Sequence, residues 1–141
     1  MNKSKECRKH KVYICTIDDV PVSCSKWVKQ NWKKYENEKN KWYTLLWRKL
    51  GTNQPADRKI TIVQFRNRLF DPINLPVSVK YIVDVLQRYI RLPRFIKRYG
   101  IKDGGREGLG WIETDKTTEV VVSQVKSKNQ KTIFIIEDIL T

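Results

Sequence analysis

A chain of 141 residues, 40% hydrophobic and 11% aromatic, has the material for one folded domain with a core, which excludes a disordered tail. Its 29 lysines and arginines against 15 acids give a formal charge of +14, so a polyanion is the natural partner. Nucleic acid comes first, ahead of an anionic membrane surface, and charge alone does not separate DNA from RNA. The three cysteines, Cys7, Cys15 and Cys24, form no CxxC pair, and with His10 their spacing fits no common zinc module. They read as free thiols of a reducing compartment. Residues 1–10 are a basic arm without the apolar core of a signal peptide, and no run approaches a membrane span. The expectation is a soluble, cytoplasmic protein.

In chain order, residues 11–17 alternate at Val12 and Ile14 and predict a first strand. A loop containing Pro21 follows, with Ser23 or Ser25 available as a helix cap. Residues 25–50 predict one long helix, with Val28, Trp32, Tyr35, Trp42, Leu46 and Leu50 at three- and four-residue steps. Lys39 interrupts that stripe and is expected to snorkel to water. Lys26, Lys29, Lys33 and Lys34 belong mainly to the other face and are the first phosphate-contact residues expected. Trp27, Tyr43 and Trp47 fall off the stripe and suit a second interface or base stacking. Gly51 ends the helix.

Residues 58–70 predict the second strand, whose last positions bring Arg66 and Arg68 beside Asp71. Pro72 and Pro76 punctuate the next turn, and a second helix is expected over 77–91. Its core face is Val79, Ile82, Val83, Leu86 and Ile90, while Lys80 and Asp84, four apart, share another face. Lys97, Arg98 and Lys102 lie in a basic connector, and the glycine-rich residues 100–110 are expected to be mobile. Their glycine spacing matches neither a Walker nor a Rossmann loop. Residues 111–113 suit a short strand, and residues 119–126 and 131–139 predict a β-hairpin turning at 127–130. The expected fold is a single α+β domain of order β-α-β-α-β-β, with a small mixed sheet and two main helices.

Three stretches stand in a telling order. Pro21-Val22-Ser23-Cys24-Ser25-Lys26-Trp27 leads into the basic helix. Asp71-Pro72-Ile73-Asn74-Leu75 is followed by Lys80 and, four residues later, Asp84-Val85-Leu86. Ile101-Lys102-Asp103-Gly104 comes after a glycine. As an ordered set, ending in the paired strands, this resembles the RusA-type Holliday junction resolvases, small phage- and prophage-borne endonucleases. The resemblance covers nearly the whole chain and implies a homodimer that cuts paired strands of a four-way DNA junction using Mg²⁺, or Mn²⁺ in its place.

By the same resemblance, Asp71 and Asp103 hold the metal, Lys80 meets the scissile phosphate, and Asp84 stands beside the metal site. Asn74, Arg66 and Arg68 join the DNA contacts. Two departures stand out: Ile73 occupies the second acidic position of the central motif, and Gly104 follows Asp103 where a second acid is expected. Asp84, Glu107, Glu113 and Asp115 are the acids available to replace them, and spacing singles out none. Two other readings therefore stay open. One is a relative that binds branched DNA without cutting it efficiently. The other is an unrelated basic nucleic-acid-binding module whose acids are turn residues and helix caps.

Overall fold

The computed structural model describes residues 10–22, 32–91 and 105–139. Six strands appear: β1 (Val12–Ile17), β2 (Arg58–Arg66), β3 (Tyr89–Arg91), β4 (Gly105–Glu107), β5 (Glu119–Lys126) and β6 (Lys131–Asp138). The helices are α1 (Trp32–Lys49), a single turn α2 (Leu75–Ser78) and α3 (Lys80–Leu86), with a 3₁₀ turn at Asp115–Thr117. The α+β class and the main element order are as the sequence predicts. No described helix is long and apolar enough to cross a membrane.

The main sheet has the order β1-β6-β2-β5, so β5 and β6 are not the predicted hairpin. β2 lies between them, parallel to β5 and antiparallel to β6. Residues 127–130 cross the end of β2, where the Ser127 amide donates to the Arg66 carbonyl at 2.8 Å and the Asn67 amide to Gln130 Oε1 at 3.3 Å. A four-residue link between two apolar strands reads as a hairpin because it fits one; the central place goes to β2, whose helix-side residues bury more surface. A small second sheet pairs β3 with β4 antiparallel.

One face of the sheet carries the core. Cys15 and Ile17 of β1, Ile60 and Ile62 of β2, and Phe134 and Ile136 of β6 are buried against Trp42 and Leu46 of α1 and Ile82, Val83 and Leu86 of α3. Trp42 meets Phe134 edge-on, with centroids 6.1 Å apart. In β1 the buried positions are Cys15 and Ile17, whereas Val12 and Ile14, which the alternation singles out, are exposed. Burial pushes the Cys15 thiol up to about 11 against a weaker opposing pull from Lys49, so it stays protonated at neutral pH. Cys7 and Cys24 lie outside the described residues.

Buried Gln64, Ser78 and Arg58 in this layer are tied down by hydrogen bonds. Gln64 donates to Ser78 Oγ at 3.2 Å, and Ser78 donates to the Leu75 carbonyl at 2.6 Å, which fixes α2 to β2. Arg58 donates to Asp138 Oδ1 at 2.8 Å and to the Gln54 carbonyl at 2.8 Å, and its guanidinium lies over the Trp111 ring. Such pairing offsets the desolvation of a buried cation.

The predicted second helix stops early, at Leu86, and the chain turns into β3. Residues 108–112 run against its end and satisfy carbonyls that a helix terminus leaves open. The Leu109 amide donates to the Val85 carbonyl at 2.8 Å, the Trp111 amide to the Leu86 carbonyl at 2.9 Å, and the Arg88 amide to the Ile112 carbonyl at 2.8 Å. The approach is so close that a Cβ on Gly108 would lie 1.9 Å from the Gln87 carbonyl oxygen. Gly110, at φ +80°, has the Asn53 carbonyl oxygen 2.5 Å from the position of its missing Cβ. These two glycines are fixed by close packing, contrary to the mobility expected of their stretch.

Candidate active site

This clamp positions an acidic turn. Directly after Ile112 come Glu113, Thr114 and Asp115, and the Thr114 side chain caps the 3₁₀ turn by accepting from the Lys116 amide. Thr118 Oγ1 donates back to the Thr114 carbonyl at 2.8 Å. The turn faces the end of α3, and between them opens a cavity of about 490 Å³ lined by Asp84, Gln87, Arg88, Tyr89, Glu113, Asp115 and Lys116. A second cavity of about 430 Å³ lies between α3 and β5, lined by Lys80, Val83, Val120, Val122 and Asp115. Asp115 lines both, sharing the first with Asp84 and the second with Lys80.

Asp84 does not combine with Lys80 in the way the four-residue spacing suggests. Its Oδ2 lies 3.8 Å from Nζ of Lys39 on α1, and its Oδ1 accepts from Gln87 Nε2 at 3.0 Å. Lys39 does not snorkel: it is 2% exposed, with Glu36 Oε1 at 3.5 Å as a second carboxylate. An ammonium that deep requires anionic neighbours, and it fixes an Asp84 carboxylate that faces the cavity. Arg88 and Glu113, both exposed, add a loose pair at 3.4 Å, worth at most about 1 kcal/mol.

Asp71 belongs to a different place. It follows β2 in an exposed turn, where its Oδ1 accepts from the Ile73 amide at 3.1 Å and its carbonyl from the Asn74 amide at 2.9 Å. That is the behaviour of a turn-initiating aspartate. It lines neither of the two cavities. Ile73 beside it is 82% exposed, and Asn74 is exposed. Asp103 lies outside the described residues, as do Lys26, Lys29, Lys97, Arg98 and Lys102.

Of the remaining predicted DNA contacts, Lys33 is on α1 with its side chain outside the described set. Lys34 and Arg68 are exposed. Arg66 is a correction: it is buried, donating to the Pro21 carbonyl at 2.7 Å and to Gln64 Oε1 at 2.8 Å, with Phe70 under its guanidinium at 3.7 Å. Burial lowers its basicity. Arg66 and Arg68 share the parity of Ile60 and Ile62, but Arg66 is the last residue of β2 whereas Arg68 lies beyond the strand end, a boundary that alternation does not reveal.

Among the described residues no group of three or more His, Cys, Asp or Glu converges closely enough to cage a metal ion. The acids lining the larger cavity nevertheless offer hard oxygen donors. That suits Mg²⁺ or Mn²⁺, ions that take one or two protein carboxylates and complete their shell with water and phosphate. No protein-family model matches the chain, nor does any curated protein sequence.

Three residues at or behind the larger cavity, Asp115, Glu113 and Lys39, carry no signal of their place in the sequence taken one by one. Asp115 and Glu113 were among four spare acids with nothing to rank them; the apolar run Leu109-Gly110-Trp111-Ile112 just ahead, wholly buried, is the signal that anchors them. Lys39 was visible as a charge on an apolar helix stripe, the pattern of a buried cation that needs acids from another element.

Proposed function

We propose that this chain is a metal-dependent, structure-selective endonuclease that acts on branched DNA, four-way junctions above all, as a homodimer. The observation that carries the reading is Asp115 lining both cavities, with the Lys39-held Asp84 in one and the exposed Lys80 in the other. Acids near an exposed cation on a chain of charge +14 suit phosphodiester hydrolysis, in which a polyanion must first be attracted and then attacked. Asp84 and Asp115 would hold the ion, and Glu113 is near enough on the chain to share in it. Bound Mg²⁺ would polarise the phosphodiester and activate water. Lys39 keeps Asp84 in place, and Lys80 offsets charge that builds on the phosphorus oxygens. Lys34, Arg68 and the exposed Trp47, next to Arg48 and Lys49, supply backbone contacts and a stacking surface.

A second reading, a relative that binds branched DNA without cutting it, draws on the Asp71 turn. There the expected second acid is Ile73, and the Asp71 carboxylate is engaged with its own backbone.

One assay separates the two: incubation with a synthetic four-way junction and with linear duplex, in Mg²⁺ and in Mn²⁺. The nuclease reading expects junction-selective nicking that Asp84→Asn and Asp115→Asn abolish while binding persists. Nicking that survives in both variants removes the cavity from the chemistry. Salt-sensitive junction binding with no nicking by the unaltered protein leaves the second reading.

A further inference from the structure

Among the described residues, the face of the main sheet turned away from the helices is apolar, open and without net charge. Strand register arranges its side chains in rows. Ile14, Ile135, Thr61 and Val121 form one row, and Thr16, Ile133, Val63 and Ser123 form the next. Phe65 and Val125 continue the apolar surface beside Lys131, and Glu137, Lys59 and Glu119 close the opposite end. Each of these residues alternates with a residue of the helix-covered parity, so all share the open face. Ile14 is 65% exposed, and Val12, Val121 and Val125 are exposed as well. An apolar patch spread over four strands marks an interaction surface on a soluble domain.

Charge identifies the occupant. The chain carries +14, yet on this face Lys59 and Lys131 are cancelled by Glu119 and Glu137. Nucleic acid has no net attraction to it, so the face lies outside the basic field that serves DNA. Two copies of so basic a chain repel wherever their lysines meet, and this neutral face lets them approach. It is also self-complementary. A two-fold axis lying between two stacked copies and running across the strands sets Glu137 against Lys131 of the second copy. An axis running along the strands sets Glu137 against Lys59.

We infer that two copies of this chain pair through the open sheet face, stacked as a β-sandwich with the helices outward. Sheets packed this way sit about 10 Å apart and interdigitate side chains of this size. The contact is isologous, each copy giving the same rows. Both acid-lined cavities then lie on the outer layers, free for substrate. This names the surface for the dimer of the proposed nuclease, and its test needs no DNA.

Sedimentation equilibrium over a concentration series is the measurement. The expected result is a species of twice 16.8 kDa for the unaltered chain. Ile135→Lys and Ile14→Glu should each weaken association by at least about tenfold, with unchanged far-ultraviolet circular dichroism. Ile14→Glu is the safeguard, because so exposed a position does not bear on folding. Glu137→Lys should also weaken pairing, and Lys131→Glu or Lys59→Glu added to it should restore pairing, which selects the axis. A chain monomeric throughout the series, or a dimer indifferent to both Ile135→Lys and Ile14→Glu, overturns the inference. A stable dimer that fails to cut junctions overturns only the nuclease reading.

Discussion

The two faces of the main sheet are built from the same residue types and meet opposite fates. Isoleucine, valine and phenylalanine occur on both, but Ile60, Ile62, Phe134 and Ile136 lie under α1 and α3, while Ile14, Val63, Ile133 and Ile135 look outward. What separates the faces is the polar company each keeps. Buried Gln64, Arg66 and Ser78 form a bonded network on the covered side. On the open side, among the described residues, the charges lie at the two ends, Glu137, Lys59 and Glu119 at one and Lys131 at the other. Covering one face required helices that bring hydrogen-bond partners and, at one end, an acid-lined cavity. The other face has apolar surface and nothing to satisfy, the condition for packing against a copy of itself.

Deleting a side chain from the covered face should produce the largest effect. Phe134 is fully buried and touches Trp42, so Phe134→Ala is expected to cost about 3–5 kcal/mol by equilibrium urea unfolding. A cost near that of an exposed site would mean the two faces are not distinct. Next comes Lys39→Met, which keeps volume and removes the cation between Glu36 and Asp84. Because both acids retain some access to water, the expected cost is about 2–3 kcal/mol, below that of breaking a fully buried pair. In a double-mutant cycle, adding Asp84→Asn should recover part of that loss; strict additivity would deny the coupling of α1 to the cavity.

The contrast between faces also marks what the sequence discloses. Element types follow from periodicity and capping, and the long helix, the four strands of the main sheet and the α+β order were legible from them; β3, β4 and the absence of a strand over residues 111–113 were not. Parity was not: β1 alternates apolar residues on both faces, and Val12 and Ile14 look as suitable for a core as Cys15 and Ile17. Only the tertiary cover decides. The hairpin reading of β5 and β6 failed for a related reason, since a short link does not reveal that β2 intervenes. Around the cavities, Lys80 and Asp84 were conspicuous in the sequence through their four-residue spacing. Their partners were not, because Lys39 and Asp115 arrive from elements distant in sequence. Asp71 illustrates the converse, a residue conspicuous in its motif whose carboxylate closes its own turn.

Cys15 gives the covered face a signature in pH. Burial holds its thiol protonated up to about 11, while an unfolded thiol ionises from 9.0. Between those values the folded state keeps a proton that the unfolded state loses, so stability is intact below about 9 and falls as pH rises toward 11. A shift of that size corresponds to at most about 3 kcal/mol. Comparing urea midpoints at both ends of that window with those of Cys15→Ala removes the contribution of other titrating groups. Equal pH dependence in the two proteins would place Cys15 in contact with water.

The smallest effect belongs to the open face and is the most diagnostic. Ile14→Thr keeps β-branching and strand preference while removing apolar surface that, in a single copy, already faces water. Measured at dilution where the chain is monomeric, it should change stability by no more than about 0.5 kcal/mol. Ile17→Thr, on the same strand with a buried side chain, should cost several times that, since its hydroxyl would enter the core. As concentration rises, the Ile14 variant should fall behind the unaltered protein, because association stabilises only the chain that can still pair. A gap that does not widen with concentration would leave the open face as plain solvent-facing surface.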